Sequence, residues 1–267
     1  MPNNIFDELS VLLSRCQEIG LVGIKSEFES EGMRIDEFNL LNTFTKTNDL
    51  FTALKIGGSE AKTDMHIGFH ALSKYIIAPM IESSYSARKC IDAFLSLANN
   101  SPFPIPRLLI NIETVTALQN LDDICRVISP VASGIVFGRV DFTLSAGLPR
   151  DNIHSDFVNN AVITASTCAK EYDLEFVIGG GVNIDSIPFF KEVQKIRLDR
   201  FETRKCIITS DSLYNDSISS LLQDCVLIEL LWLKFKSNYY RLISEEDSAR
   251  VAMLEQRHLY NTSSSHH

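Results

Sequence analysis

Two carboxylates, Glu113 and Asp141, each follow a short apolar run: Arg107–Ile112 precedes the first, and Gly134–Gly138 with Arg139 and Val140 precedes the second. If both runs are neighbouring strands, their carboxylates meet at one rim. A hard divalent cation such as Mg²⁺ needs only one or two carboxylates, since water and substrate oxygens complete its octahedron. The plainer reading has Glu113 capping the following helix and Asp141 opening a turn. Other apolar runs also end in groups capable of chemistry, among them Lys25-Ser-Glu27-Phe-Glu29-Ser-Glu31, Lys55 with Glu60, Glu82, Gly179-Gly180-Gly181, and Glu202-Thr-Arg204-Lys205. Carboxylates and cations therefore alternate around the strand ends. The glycine turn can offer backbone N–H groups to an anion, or it can be a tight connection only. Arg139, next to Gly138, can reach an acidic or phosphorylated substrate, or pair with Glu113 or Glu82. Arg204 has the same two readings, substrate contact or ion-pair scaffold. His66 and His70, one helical turn apart, fit a packed or surface role better than a catalytic one.

Positioning these groups requires strands that end at one face. Continuous apolar runs are read at Leu21–Lys25, Phe51–Ile56, Tyr75–Pro79, Arg107–Ile112, Gly134–Gly138, Leu174–Ile178 and Ile196–Leu198 or a little beyond, the character of buried parallel strands. Helical spacing lies between them, at 36–46, 83–98, 114–127, 156–171 and 185–193. This βα alternation predicts an α/β fold, a TIM-type (β/α)8-like barrel, with an open doubly wound sheet as the alternative. Seven strands are counted, and an eighth is either hidden in Ile196–Thr209 or missing. After Asp211 the pattern becomes a long helical tract with Val-Leu-Ile-Glu-Leu-Leu-Trp-Leu, too apolar for a free surface helix, so it must pack on the barrel or on a second subunit. The expected organisation is a barrel over 1–211, a C-terminal helical extension over 212–260, and a tag remnant over 261–267.

A chain of 267 residues, 45% hydrophobic and 22% charged, suffices for one large core. The net charge of −9 without a Lys/Arg cluster argues against a nucleic-acid or anionic-membrane partner. With no apolar stretch of membrane-spanning length and no signal-peptide pattern at the start, a cytoplasmic protein is expected. The six scattered cysteines show no metal or disulfide spacing and read as buried thiols.

The segments Ala-Leu-Lys-Ile-Gly-Gly-Ser-Glu-Ala, Ile-Ile-Ala-Pro-Met-Ile-Glu-Ser, Leu-Ile-Asn-Ile-Glu-Thr and Gly-Ile-Val-Phe-Gly-Arg-Val-Asp-Phe-Thr-Leu-Ser-Ala-Gly-Leu, in this order, resemble the HpcH/HpaI aldolase and citrate lyase β-subunit family of phosphoenolpyruvate/pyruvate-binding barrels. The likeness spans roughly Gly20 to Lys205. It implies Mg²⁺ or Mn²⁺ held by Glu113 and Asp141, a 2-oxo acid substrate, and C–C bond cleavage or formation through a metal-stabilised pyruvate enolate. It also implies a homo-oligomer, here through the C-terminal helix. The family places an arginine where this chain has Lys55, which keeps the charge and loses the bidentate fork. Lys55 is thus the cation expected nearest the substrate. The aldolase branch carries a histidine in the loop that reads Lys25–Gly32 here, and this loop has none. Glu27 or Glu29 replaces it if burial raises a carboxyl pKa; otherwise the loop is a solvated acidic segment. These departures keep two further functions open: a barrel that binds without turnover, and a transferase of the same superfamily using a phosphorylated substrate.

Overall fold

The computed structural model describes residues 2–264, with side chains described for 5–258. Residues 261–267, read above as a tag remnant, lie outside the described side chains. Eight strands close into a barrel in sequence order: β1 (Leu21–Glu27), β2 (Phe51–Lys55), β3 (Tyr75–Ala78), β4 (Arg107–Ile112), β5 (Gly134–Gly138), β6 (Glu175–Gly179), β7 (Arg200–Glu202) and β8 (Cys206–Thr209). Helices α1 (Pro2–Ile19), α2 (Ile35–Thr47), α3 (Lys62–His70), α4 (Ser84–Ala98), α5 (Val115–Gln119), α6 (Leu121–Ile128), α7 (Arg139–Ser145), α8 (Asp156–Glu171), α9 (Ile187–Gln194) and α10 (Ile218–Ser264) surround it. Leucines, isoleucines and phenylalanines on the outer strand faces and inner helix faces form the main core, whereas Ala53, Ile77, Leu109, Val136, Val177 and Ile207 fill the barrel interior. Capping by local hydroxyls sets several helix starts: the Ser83 and Thr114 side chains accept from Ser86 N and Ala117 N.

The expected barrel is present, and two details of it are corrected. The seventh strand is Arg200–Glu202, just past Ile196–Leu198, and the eighth, Cys206–Thr209, lies within the stretch left open above. Moreover β8 runs antiparallel to both β7 and β1, while the other neighbouring pairs are parallel. Only Thr203, Arg204 and Lys205 separate β7 from β8. A parallel return needs a crossover of about a dozen residues, so a three-residue link can make only a hairpin. The hairpin tip consequently stands at the same end as the C-terminal ends of β1–β7.

The helical tract beyond the barrel is one continuous helix. Its first half buries Leu221, Leu222, Cys225, Ile228, Leu231 and Trp232, while Leu230 and Leu233 stay exposed. Arg15 on α1 grips Asp224 of α10 through two bonds, Nε to Oδ2 at 2.8 Å and Nη2 to Oδ1 at 2.5 Å. Glu37 on α2 holds Lys236 at 2.9 Å and accepts from the Tyr240 hydroxyl. From Arg241 to His258 the helix is exposed except for the half-buried Met253. All six cysteines are buried free thiols. Among the described residues no helix is long and apolar enough to cross a membrane.

Candidate active site

Side chains two apart on a strand share a face, so each barrel strand sends alternate residues inward. The inward residues at the C-terminal ends are polar: Lys25 and Glu27 from β1, Lys55 from β2, Asn111 from β4 and Glu202 from β7, with Glu113 one step past β4. They line a cavity of about 300 Å³ together with Gly138, Asp141 and the glycine turn after β6.

Glu113 is 1% exposed and fully engaged on one oxygen. Its Oε2 accepts from Lys55 Nζ at 3.2 Å and from Asn111 Nδ2 at 2.8 Å, and its Oε1 accepts from Met80 N at 3.0 Å. The helix cap next to it is Thr114, not Glu113, which leaves the carboxylate free to face the cavity. Gly138 makes room for it: a Cβ there would stand 2.9 Å from the Glu113 Cβ and 3.0 Å from its Oε2. Asp141 lies in the first turn of α7, with no hydrogen bond or ion pair to the described residues. Burial, then the Glu113 charge, pushes its carboxyl above the ordinary aspartate range.

Lysines neutralise the opposite side. Lys25 is buried between Glu202 at 3.1 Å and Glu27 at 3.2 Å. Burial opposes its charge, but Glu202 and then Glu27 more than offset this, so its pKa rises above the lysine norm. Lys55 joins Glu29 at 2.8 Å to Glu113, and the same balance keeps it charged. For Glu27, burial alone would raise the carboxyl; Lys25, the Ser30 hydroxyl and Lys55 instead bring it down to about 2. That corrects one expectation: Glu27 is an ion-pair partner of Lys25 with a lowered carboxyl pKa, not a carboxyl raised by burial. Glu29 pairs with Lys55 at the edge, its side chain 29% exposed.

Arg139 is a second correction. It is fully buried and does not line the cavity. Because α7 begins at this residue, its side chain turns into the wall towards α9, where Nε and Nη2 donate to Gly180 O at 3.1 and 2.9 Å and Nη2 donates to Ser186 Oγ at 3.1 Å. The guanidinium stacks over Phe190 at 4.8 Å, and burial lowers its pKa to about 10. It pairs with neither Glu113 nor Glu82. Arg204, on the hairpin tip, does line the cavity and reaches Glu31 at 3.3 Å; Lys205 beside it also pairs with Glu31. Gly179 and Gly180 line the cavity as well. His66 and His70 sit exposed on α3, outside the cavity lining. Lys25 was named at its strand end without a role of its own, and Asn111, Arg150 and the Met80 N–H were not among the expected site groups. The i, i+2 spacing of Lys25 with Glu27 and of Asn111 with Glu113 was the available signal for two of them.

A divalent cation fits the acidic side of this cavity. Among the described residues no three His, Cys, Asp or Glu side chains cluster for a metal, so the chain would offer two carboxylates and leave the other positions to water and substrate. Among the described residues Asp141 has no partner, and burial followed by the Glu113 charge disfavours its ionised form, a cost that a cation would offset.

No family model matches the chain, and no curated protein matches it by sequence. Solved structures do. An HpcH/HpaI aldolase from Desulfitobacterium hafniense DCB-2 is 12% identical over 73% of this chain and 82% of its own, with a TM-score of 0.61. The citrate synthase SbnG is 14% identical over 83% of this chain and 87% of its own, at 0.58. An HpcH/HpaI aldolase/citrate lyase family protein from Burkholderia cenocepacia J2315 is 12% identical over 80% and 99%, at 0.56. At such identities the likeness is one of fold: this chain has the α/β barrel found in HpcH/HpaI aldolase and citrate lyase family proteins.

Proposed function

We propose that the chain is a carbon–carbon lyase of the aldolase type acting on a 2-oxo acid, with Mg²⁺ or Mn²⁺ held by Glu113 and Asp141. The observation that supports this most is the partnerless Asp141 beside Glu113 in a cavity whose other carboxylates are paired with lysines. When bound, the metal supplies Lewis-acid stabilisation of negative charge growing on the 2-oxo oxygen. Lys55, kept charged by its two carboxylate partners, binds the substrate carboxylate. Asn111 and the Met80 N–H fix the Glu113 carboxylate, and Lys25 with Glu202 and Glu27 holds the cavity floor rigid and charged.

In the cleavage direction a base takes the proton of the C4 hydroxyl and the C3–C4 bond breaks to release an aldehyde. The bonding pair passes into the remaining fragment as an enolate, and C3 then takes a proton to give the 2-oxo acid. Glu29, beside Lys55 and partly exposed, is the carboxylate assigned to take the hydroxyl proton and to return it to C3 of the enolate. Glu27 is unsuited to it because, despite burial, Lys25, Ser30 and Lys55 hold its carboxyl down at about 2, which leaves it a weak base. One observation favours the reading without turnover: the β1 to α2 loop holds no histidine, and its Phe28 packs against Phe38 at 5.3 Å.

Exchange of pyruvate methyl protons in D₂O, followed by proton NMR, tests the proposal without knowing the aldehyde. Metal-dependent exchange that Glu113→Gln and Asp141→Asn abolish, and Glu29→Gln slows about 100-fold, is expected. Absence of exchange in a protein that binds metal and pyruvate would favour the non-catalytic barrel.

A further inference from the structure

Past Tyr240 the helix α10 leaves the barrel behind. Its side chains from Arg241 to His258 are exposed, Met253 being half-buried, yet several of them are large and apolar. Leu242 is 49% exposed, Ile243 42% and Leu254 48%. In water a helix is held mainly by burial of an apolar face, so a free stretch of this kind is short of a partner.

Tyr239, Ile243, Glu246, Arg250, Met253 and Arg257 follow one another at alternating steps of four and three, the 3.5-residue repeat of a coiled-coil seam. Ser244, Ser248 and Glu255 lie on the opposite face, where the Ser248 hydroxyl donates to the Ser244 carbonyl at 2.7 Å. The charges in the seam are unused. Glu246 and Arg250 stand one turn apart without pairing, and among the described residues neither they nor Arg257 make a hydrogen bond or an ion pair. Arg241, outside the seam, is by contrast bound to Glu245 and Asn238.

The order of the seam residues is its own complement when reversed. Two copies laid antiparallel about the height of Ser248 set Tyr239 against Arg257, Ile243 against Met253 and Glu246 against Arg250, each combination occurring twice by symmetry. These are a cation–π contact, an apolar layer and an ion pair. Leu242 and Leu254 meet at matching heights beside the seam. Parallel pairing would instead put Glu246 on Glu246 and Arg250 on Arg250. An antiparallel pair one heptad out of step would put Arg250 on Met253 in one direction and Glu246 on Ile243 in the other, charge against an apolar side chain. Polar residues in a seam select orientation and register in this way.

We propose that residues 239–257 are an interaction arm that takes the same arm of a second copy, as an antiparallel two-stranded coiled coil in register about Ser248. The paired stretch is about 27 Å long at ~1.5 Å per residue. The first half of α10, held by Arg15 and Glu37 of its own chain, keeps its place. The proposal is independent of the chemistry assigned to Glu113 and Asp141.

Sedimentation velocity of the full chain, from low to high micromolar concentration, tests it. The parent should sediment as an assembly of at least two 30.0 kDa chains. Glu246→Arg sets arginine on arginine and Arg250→Glu sets glutamate on glutamate, so each should weaken the association about 100-fold or more and halve the mass. An equimolar mixture of the two variants should associate again, because each arm then faces its opposite charge, and that recovery also shows both variants to be folded. The double variant Glu246→Arg with Arg250→Glu, which exchanges the charges and keeps their complementarity, should associate like the parent. A monomeric parent, an assembly whose mass neither single variant lowers, or a mixture and double variant that stay dissociated would overturn the arm.

Discussion

At the N-terminal end of the strands, Glu175 accepts from Arg107 at 2.5 Å and from Arg200 at 2.6 Å, and both guanidiniums lie over the Tyr75 ring, at 5.5 and 4.6 Å. At the C-terminal end the same residue types meet, with Lys25 and Lys55 each between two carboxylates, yet about 300 Å³ stays open and both Asp141 and Arg150 lack partners. The first end is a plug. Its charges satisfy one another, and an aromatic ring fills the remaining space. The second end keeps unspent charge of both signs in separate places, negative at Asp141 and positive around Arg150. Desolvated charge is tolerated only when it is paired, so the plug has to pair every charge, while the open end can hold unpaired groups only where water or a ligand reaches them.

Breaking the plug should have the largest effect on stability. Glu175→Ala leaves two guanidiniums without their carboxylate and should cost about 3 to 5 kcal/mol, seen as a lower urea midpoint, with Mn²⁺ affinity unchanged. A matching loss of metal affinity would mean that the two ends are coupled.

Acid should next discriminate the paired side of the open end. The Glu27 carboxyl stands at about 2 when folded, against an ordinary value of 4.5, so it stabilises the fold fully above the unfolded pKa and progressively less as pH falls towards 2. This amounts to about 3 kcal/mol at neutral pH. Glu27→Gln should flatten the fall in stability between about pH 5 and pH 2. An unchanged slope would show that Lys25 does not hold Glu27 as described.

A smaller effect is expected in the wall behind the glycine turn. Arg139→Met keeps most of the volume but loses the bonds to Gly180 O and Ser186 Oγ, which should cost about 2 kcal/mol in urea titration. Hydrogen exchange of the Gly181 amide should also quicken, because the peptide plane is no longer held.

The site residues differ in how legible they were from sequence, and burial explains the difference. Glu113 and Asp141 follow long apolar strands, so their place at one rim was plain once strands were read. Strand β7 was misplaced because Arg200 and Glu202 both point into the barrel, one to the plug and one to the cavity, and a strand with charged inward faces does not read as an apolar run. The direction of β8 depended on a link of three residues that composition alone does not mark as a hairpin. Arg139 looked like a substrate contact because it stands two residues from Asp141. At the start of a helix those two residues face about 200° apart, so one side chain meets the cavity and the other the wall. The proton role expected of Glu27 rested on burial alone, and the neighbouring Lys25 reversed its sign.

Calorimetric titration of metal-stripped protein with Mn²⁺ and then pyruvate, for the parent, Glu113→Ala and Asp141→Ala, decides whether these two carboxylates hold a metal that recruits the 2-oxo acid. Metal-dependent pyruvate binding is expected in the parent, with metal binding weakened by about 100-fold or more in each variant. Asp141→Ala should meanwhile be no less stable than the parent, since burial and the Glu113 charge disfavour the carboxylate it removes. A parent that binds neither metal nor pyruvate, or variants that bind both as well as the parent does, would contradict that role for the two carboxylates.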